Sequence, residues 1–435
     1  MPRRPWIEDP QRVRREDPAA APAPPSARAA PEVLRGAAIK LALLVGFLLA
    51  VGWNGYLLLL QWALDLNDLG KFYYDTRAFL EGQEMYAPSP ATSIPVSPDE
   101  RREFLNMNPP HFHLLILPLA LLPPAAAFGV WLSTGLFALG ATAAAALREA
   151  ALEARASAGW LAVWILFALS EPFGSNMVTG QIAFHLMPLV AWAWIAARRG
   201  RERQLGVALG LAIAIKPFLG LFLPWLLLCR RFEALGFAIG AGVASLALGF
   251  AVFGVETHLA WIDALGTVDW HWASMNASLY GFLDRVLGLS PHYTPLWLAE
   301  AAIAPLWLAG SALIGAGTFA SLFVERDRAD SDRAFALLLS AALLISPLGW
   351  VYYLPLAAPP AIAHFATRQR GGPGWLPLER GLLAAAVGLL MLPHIVLWAL
   401  AEPAPATATL GSAYFWGLLA LWALLLRPRS EGVPT

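Results

Sequence analysis

Long apolar runs follow one another along almost the whole chain, from Gly36 to Leu426, with few charged interruptions. A helix needs about 20 consecutive apolar residues to cross the hydrocarbon core of a bilayer, and many of these runs have that length or about half of it. Of the 435 residues, 58% are hydrophobic and only 14% are charged, which is too little polar surface for a water-soluble domain. We therefore predict an all-α, polytopic membrane protein with about ten to thirteen transmembrane helices.

The two ends of the chain differ from this apolar core. Residues 1–36 are rich in Pro, Ala and Arg, a composition typical of disorder. The first apolar run is not followed by a small-residue cleavage site, so we expect it to be an uncleaved anchor. The predicted organisation is a disordered cytoplasmic tail over 1–36, one transmembrane domain over 37–426 and a second cytoplasmic tail over 427–435.

Arginine-rich segments alternate with acidic or neutral ones, and this alternation predicts the orientation. Because Lys and Arg concentrate on the cytoplasmic side of a membrane, the basic segments and the N-terminus are predicted to be cytoplasmic. The basic segments are the N-terminal tail, 198–203, 230–231, 325–328, 368–370 and 427–429. The segments predicted to face outward are 65–108, 171–181, 254–292, 346–350 and 401–412.

Two apolar segments begin and end on the same side in this scheme. The run 111–122 lies between two Pro-Pro pairs and is too short to span, so it predicts an interfacial or re-entrant helix on the outer side. The run 206–228 lies between two basic segments and predicts two half-length helices hinged near Lys216-Pro217. A lysine deep in a membrane at a broken helix is usually tolerated only beside a cavity.

Polar residues collect on the predicted outer side. The first outer segment contains Asp65, Asp68, Lys71, Tyr73 and Tyr74. A partly desolvated carboxylate can act as a general base, and hydroxylated aromatic rings suit the faces of sugars, although the same residues fit a solvated cap with interfacial tyrosines. Further candidates on this side are Asn106, Asn108, His111, His113, Asn176, Gln181, Asn276, Asp284, Arg285, Trp350, Tyr352 and Tyr353.

Several function classes are excluded by what the sequence lacks. The formal net charge is zero, which argues against a nucleic-acid partner. The single cysteine, Cys229, allows neither an intrachain disulfide nor a cysteine metal cluster. His111 and His113 are two residues apart and would not share a helix face, so no metal is implied. Walker, Rossmann and nucleophile-elbow motifs are absent. A membrane transferase, a secondary transporter that binds solute at Lys216 and a non-catalytic assembly protein remain.

The run Asn67-Asp68-Leu69-Gly70-Lys71-Phe72-Tyr73-Tyr74, with Ala78, Leu80, Gly82 and Tyr86 after it, resembles the first outer loop of glycosyltransferase family 87. This family contains polyprenyl-phosphate-mannose-dependent enzymes of the GT-C superfamily. Further similar blocks follow in the same order. They are Pro109-Pro110-His111-Phe112, Gly180-Gln181, Lys216-Pro217, Asn276-Ala277-Ser278-Leu279 and Leu344-Ile345-Ser346-Pro347-Leu348-Gly349-Trp350.

The resemblance implies a GT-C glycosyltransferase fold with outer juxtamembrane helices. It implies transfer of a hexose, mannose in this family, from a polyprenyl-phosphate donor to a lipid or glycan hydroxyl at the outer face of the bacterial cytoplasmic membrane, without a cofactor. The family's base corresponds to Asp68, with Asp65 as a second candidate because the register between them is open.

The reaction chemistry adds expectations for other residues. A prenyl phosphate is a good leaving group, so one base and one stabilising cation suffice, and direct displacement inverts the anomeric centre. We expect Lys216 and Arg285 to supply the cations. The residues predicted to bind substrate are Tyr73, Tyr74, Asn108, His111, His113, Gln181, Asn276 and Tyr352.

Overall fold

The computed structural model describes residues 29–63, 67–97, 100–151, 158–290, 293–324, 330–371, 376–393 and 404–427. Most of the predicted N-terminal tail, the candidate base Asp65 and residues 428–435 lie outside this part of the chain. The helices, numbered in chain order, are α1 Ala29–Ala63, α2 Asn67–Leu80, α3 Leu117–Ala120, α4 Pro124–Glu149, α5 Ala158–Leu169, α6 Glu171–Thr179, α7 Ala183–Arg198, α8 Glu202–Ile215, α9 Phe222–Leu228, α10 Phe232–Leu265, α11 Leu279–Leu287, α12 Glu300–Val324, α13 Ser331–Ile345, α14 Ala358–Gly371, α15 Pro377–Leu390, α16 Ala404–Ala408 and α17 Ala413–Leu425.

Shorter elements connect these helices. Four 3-10 helices cover Pro110–Leu115, Pro217–Leu221, Val351–Leu356 and Leu410–Ser412. The strands β1 (Ser93–Ser97) and β2 (Glu100–Glu103) pair antiparallel within the long segment that follows α2. The described part of the chain is therefore mostly helical, as predicted.

Five of the described helical segments are long and apolar enough to cross a membrane, and the bent pair α5–α6 gives a sixth if it is one span. The five are Gly36–Leu80, α4, α10, α12 and Ala404–Leu425. The predicted ten to thirteen spans are not confirmed by this criterion, because several predicted spans form short helices. The 15 residues of α13, for example, make a helix about 22 Å long, shorter than a hydrocarbon core of about 30 Å.

The helices divide into a buried centre and an apolar periphery. Every residue of α13 from Ser331 to Leu344 is buried, so neighbouring helices surround it. In contrast, large apolar side chains on the outer helices are exposed, for example Leu59 at 73%, Phe137 at 76% and Leu313 at 72%. Exposed apolar surface on this scale requires a partner such as lipid.

The structure contains one helix break and one short helical segment where the sequence predicted them. Helix α8 ends at Ile215, Lys216 has an extended backbone, and the 3-10 helix that starts at Pro217 leads into α9. Proline lacks the amide hydrogen that would continue the helix. The segment 111–122 likewise forms only a 3-10 turn and the four-residue α3. The hinge at Lys216 and the short helix between the two Pro-Pro pairs are thus confirmed.

Helix α10 bends at Gly254, whose backbone is left-handed with φ 78° and ψ 171°. Its N-terminal half packs closely on α8. A Cβ atom added at Gly206 or Gly210 would collide with the carbonyl oxygens of Ala234 and Ala238, so these two glycines permit the contact. Gly236 and Gly240 have the same four-residue spacing, and from the sequence alone they too would be expected to permit close helix packing. That expectation is wrong, because a Cβ atom added at either position would meet no described atom within 4 Å.

Candidate active site

Asp68 lies in the first turn of α2, and both of its carboxylate oxygens accept hydrogen bonds. Lys71 Nζ donates to Oδ1 at 2.8 Å and Gln181 Nε2 donates to Oδ2 at 2.6 Å. The carboxylate is 20% exposed and lies at the positive end of the helix dipole. Each carboxylate oxygen has two lone pairs, so Asp68 is held in one orientation and can still accept a hydrogen bond from an incoming hydroxyl.

The turn before Gln181 explains how this residue reaches Asp68. Gly180 ends α6 in the left-handed conformation, with φ 64°. A Cβ atom at Gly180 would lie 2.6 Å from Leu69 Cβ and equally close to the Gln61 side chain. The carbonyl of Gly180 accepts a hydrogen bond of 2.8 Å from Trp131 Nε1. Glycine is therefore needed here, both for its backbone conformation and for the close approach of α2.

Lys216 lies at the broken helix and contacts the same region. Its ammonium donates a hydrogen bond of 2.6 Å to Asn108 Oδ1 and lies 5.5 Å from the centre of the Tyr353 ring. Asp68 is close enough for its charge to interact with that of Lys216. Two lysines, Lys71 and Lys216, therefore lie near one carboxylate.

A path of hydrogen-bonded side chains leads from Lys216 through Asn108 towards α2. Its side-chain Nδ2 and its backbone amide both donate to Asn106 Oδ1 at 2.9 Å. Its carbonyl oxygen accepts a hydrogen bond of 2.6 Å from the Tyr86 hydroxyl. Asn106 and Asn108 are buried, so these contacts fix the direction in which Asn108 presents its oxygen to Lys216.

The path ends at His113, which is fully buried. Asn106 Nδ2 lies 3.0 Å from His113 Nε2, and Thr76 Oγ1 lies 2.7 Å from His113 Nδ1. Because the Thr76 hydroxyl donates to the Phe72 carbonyl, His113 Nδ1 carries the proton and Nε2 accepts. Burial lowers the pKa of His113 to about 3, which agrees with a neutral ring. His113 thus joins α2 to the segment that holds Asn108.

His111 has a different position from His113. Its Nε2 donates a hydrogen bond of 2.7 Å to the carbonyl of Ala214. This carbonyl belongs to the last turn of α8, where backbone oxygens lack helical partners. His111 therefore caps the broken helix just before Lys216.

The two tyrosines of α2 differ in burial. Tyr73 is 1% exposed, and its hydroxyl donates to the Leu122 carbonyl at 2.8 Å and accepts from Arg77 Nη1 at 3.0 Å. Tyr74 is half-buried, and the two ring centres are 5.2 Å apart. Both tyrosines line a cavity beside α2.

Asn276 and Arg285 are fully buried. Asn276 Nδ2 donates to the carbonyl of Pro347 at 2.8 Å, and its Oδ1 accepts from the amide of Gly349 at 3.0 Å. Arg285 donates to the carbonyls of Ala273 and Asn276 at 2.9 and 3.0 Å and to Ser412 Oγ at 3.0 Å. These contacts join the segment before α11 to the segment before Trp350.

The segment 350–353 contacts both Asn276, through the backbone bridge between Asn276 and Trp350, and Lys216, through the Tyr353 ring. The Trp350 and Tyr352 rings are stacked with centres 5.9 Å apart, and the Tyr352 carbonyl accepts a hydrogen bond of 2.9 Å from Asn176. Tyr353 follows directly and contacts Lys216. The charge of Asp68 acts on both tyrosine hydroxyls. The structure thus brings Asp68, Gln181, Lys216, Tyr352 and Asn108 together, whereas the hydrogen bonds of Arg285 go to backbone carbonyls of residues 272–276 and to Ser412 Oγ.

Sequence reasoning gave no site role to two residues of α2. Lys71 binds Asp68 directly, and Asp75 is buried next to the path that leads to His113. A helical period was the available signal, because positions 68, 71 and 75 share one helix face. The predicted outer loop contains helix α2, which places those side chains together.

Comparison with known proteins identifies the family of the chain. The model of glycosyltransferase family 87 matches residues 106–347, more than half of the chain. Two proteins named polyprenol-phosphate-mannose-dependent alpha-(1-2)-phosphatidylinositol mannoside mannosyltransferase are similar to this chain. The one from Mycobacterium tuberculosis is 26% identical over 66% of this chain and 67% of its own length. The one from Mycolicibacterium smegmatis is 31% identical over 58% of this chain and 57% of its own length, which is less than two thirds. No solved structure matches the chain. The family match and the ordered blocks agree, and the protein belongs to glycosyltransferase family 87.

Proposed function

We propose that this membrane glycosyltransferase transfers mannose from a polyprenyl-phosphate donor to a hydroxyl group of a glycolipid or glycan acceptor. The main structural support for the proposal is that two hydrogen bonds, 2.8 and 2.6 Å long, orient the Asp68 carboxylate between Lys71 and Gln181. The names of the two mycobacterial relatives support the donor and a glycolipid acceptor.

Asp68 is the general base in this proposal. The acceptor oxygen attacks the anomeric carbon while its proton passes to Asp68. The bond between that carbon and the phosphate oxygen breaks, and the electron pair stays on the polyprenyl phosphate. Attack opposite to the leaving phosphate inverts the anomeric centre. Asp65 remains the alternative base.

Lys216 stabilises the charge on the departing phosphate. Its ammonium has one hydrogen bond, to Asn108, and a ring contact with Tyr353 among the described residues, which leaves donors for phosphate oxygens. Arg285 is the second candidate. Only its Nη2 has no hydrogen-bond partner among the described residues, so any phosphate contact would use that atom.

The remaining substrate contacts belong to the same proposal. Tyr73 and Tyr74 flank the acceptor. The other residues contact the substrates or position the residues that do, namely Asn108, His111, His113, Gln181, Asn276 and Tyr352.

We assign the chain the GT-C architecture of ten to thirteen membrane crossings, counting short and broken helices. The N-terminus is assigned to the cytoplasm and the site to the outer face of the bacterial cytoplasmic membrane, because of the arginine pattern.

The test is transfer by the purified protein in lipid nanodiscs supplied with synthetic polyprenyl-phosphate-mannose and a mannosylated phosphoinositide. Mass spectrometry should detect an acceptor larger by one hexose, and NMR should show an α linkage from a β-linked donor. Retention of configuration would overturn the direct displacement. Solute uptake by sealed proteoliposomes without sugar transfer would favour the transporter.

A further inference from the structure

The loop between α11 and α12 presents large apolar side chains on its surface. Leu289 is 75% exposed and Trp297 is 76% exposed, and Leu296 and Leu298 are exposed as well. We call the described residues of this loop, 289–290 and 293–298, the apolar loop. The sequence from residue 286 to residue 299 contains no Asp, Glu, Lys or Arg. A continuous apolar surface of this kind usually marks an interaction site, so the apolar loop is expected to have a partner outside the chain.

Hydrogen bonds hold both ends of the apolar loop. The amides of Leu296 and Trp297 donate to the carbonyl of Val286 at 2.9 and 3.2 Å, which joins the loop to the last turn of α11. The amide of Leu289 donates to the Glu300 carboxylate at 3.2 Å, which joins it to the first residue of α12. The loop is therefore fixed to the two helices on either side of it.

The apolar loop also has an inward side. Tyr293 is buried, and the centre of its ring lies 6.4 Å from that of Trp272. Trp297, four residues later, faces the opposite environment. Because the loop packs one aromatic residue inside the protein and exposes the other, the fold itself directs Trp297 outward.

The exposed surface of the apolar loop continues onto α12. This helix begins at Glu300, two residues after Leu298, and it is one of the five described segments long and apolar enough to cross a membrane. Leu308 and Leu313 on α12 are exposed, like the side chains of the loop. The 25 residues of α12 make a helix about 37 Å long, which exceeds a hydrocarbon core of about 30 Å. The start of α12 therefore reaches the boundary of the membrane.

The residue types of the apolar loop fit that boundary. Tryptophan concentrates where hydrocarbon meets the lipid headgroups, because its ring is apolar and its indole N–H is polar. Leucine favours the adjoining hydrocarbon. A protein partner would instead be expected to meet a polar rim around the apolar centre, and residues 286–299 supply no charged side chain for one. Lipid is thus the partner that the loop suits best.

We propose that the apolar loop inserts into the bilayer at the boundary between hydrocarbon and headgroups, beside the first turn of α12. Leu289, Leu296, Trp297 and Leu298 contact lipid. Because Val286 bonds to the loop, this insertion also sets the depth of α11 in the membrane. The proposal does not depend on the proposed function, since it involves neither donor nor acceptor.

The first experiment measures what surrounds the loop in lipid nanodiscs. A nitroxide is attached to Trp297→Cys in a Cys229→Ala background, and its collisions with oxygen, which enters lipid, and with a water-soluble nickel chelate are compared. Leu313→Cys, midway along α12, is the lipid reference. Gln83→Cys is the water reference, because Gln83 lies in an exposed polar run after α2. Oxygen should dominate at positions 297 and 313, and the nickel chelate at position 83.

Each other outcome at position 297 contradicts the proposal. Dominance of the nickel chelate would place the loop in water. Exclusion of both reagents would show that another protein or a second copy of this chain covers it. Leu289→Cys repeats the measurement at a second exposed position if Trp297→Cys does not fold.

The second experiment measures depth. A fluorophore on Trp297→Cys is quenched by lipids that carry a nitroxide either at the headgroup or deep in the acyl chain. The headgroup label should quench it more strongly, whereas the deep label should quench the same fluorophore on Leu313→Cys more strongly. Stronger quenching of both positions by the deep label would overturn the placement of the loop at the boundary.

Discussion

Gln181 Nε2 donates a hydrogen bond of 2.6 Å to Asp68 Oδ2, which joins two residues 113 positions apart in the chain. The orientation of the proposed base thus depends on the turn between α6 and α7 as well as on α2. Lys71 fixes the other oxygen from within α2. A carboxylate held by one local and one distant donor has little rotational freedom, which favours a defined attack geometry.

Asp68→Asn should abolish most of the transfer activity. The amide keeps the shape of the side chain but cannot take the acceptor proton, so we expect kcat to fall roughly 100-fold or more. Transfer by purified variants, with monodispersity as the folding check, measures this effect. Asp65→Asn should be milder. A collapse for Asp65→Asn with near-normal Asp68→Asn would move the base three residues upstream.

Gln181→Ala should lower kcat about tenfold, because Asp68 would lose the hydrogen bond that orients it. The donor KM should change little. A double-mutant cycle separates positioning from general damage, since the effects of Gln181→Ala and Asp68→Asn should not be additive if Gln181 acts through Asp68. Fully additive effects would show that Gln181 acts independently of the carboxylate.

Lys216→Met should weaken donor binding, because the departing phosphate would lose its cation. Lys216→Arg keeps the charge and should retain part of the affinity. Binding of the donor to nanodiscs can be measured directly by isothermal titration without acceptor. If Lys216→Met binds polyprenyl-phosphate-mannose as well as the parent protein does, the phosphate contact lies elsewhere, with Arg285 as the next residue to test.

Asp284 gives a prediction of pH dependence. Burial is the main cause that raises the pKa of Asp284 to about 6, while nearby Arg285 partly opposes the shift. The folded state therefore holds this proton more tightly than the unfolded state, so this group destabilises the protein as pH rises from about 4 to 6. Asp284→Asn should raise the melting temperature above pH 6 and leave it nearly unchanged at pH 4. An equal shift at both pH values would exclude ionisation as the cause.

The sequence predicted the features that local chemistry determines. Pro217 prevents α8 from continuing beyond Ile215, because proline lacks an amide hydrogen and disfavours a helical conformation at Lys216. Asp68 follows the first apolar helix in a polar segment. The path from Lys216 through Asn108 and Asn106 to His113 could not be read from the chain, because its members come from separate segments. The sequence also did not determine the number of spans. The alternation of basic and acidic segments predicts how often the chain crosses the membrane, but it does not predict where a helix is interrupted, as α8 is at Lys216.

Gly180→Ala tests whether the turn before Gln181 is required for activity. The left-handed backbone at Gly180 would cost alanine about 1–2 kcal/mol, and the new Cβ would also collide with the side chains of Leu69 and Gln61. Relief of this collision would push Gln181 away from Asp68. Gly200 is the matched control, because its φ of 63° is nearly the same but an added Cβ would meet no described atom within 4 Å. We expect both alanine variants to melt at lower temperature, and only Gly180→Ala to lose about tenfold or more in kcat, as estimated from one lost hydrogen bond. Equal kcat values for the two variants would show that the turn contributes stability only.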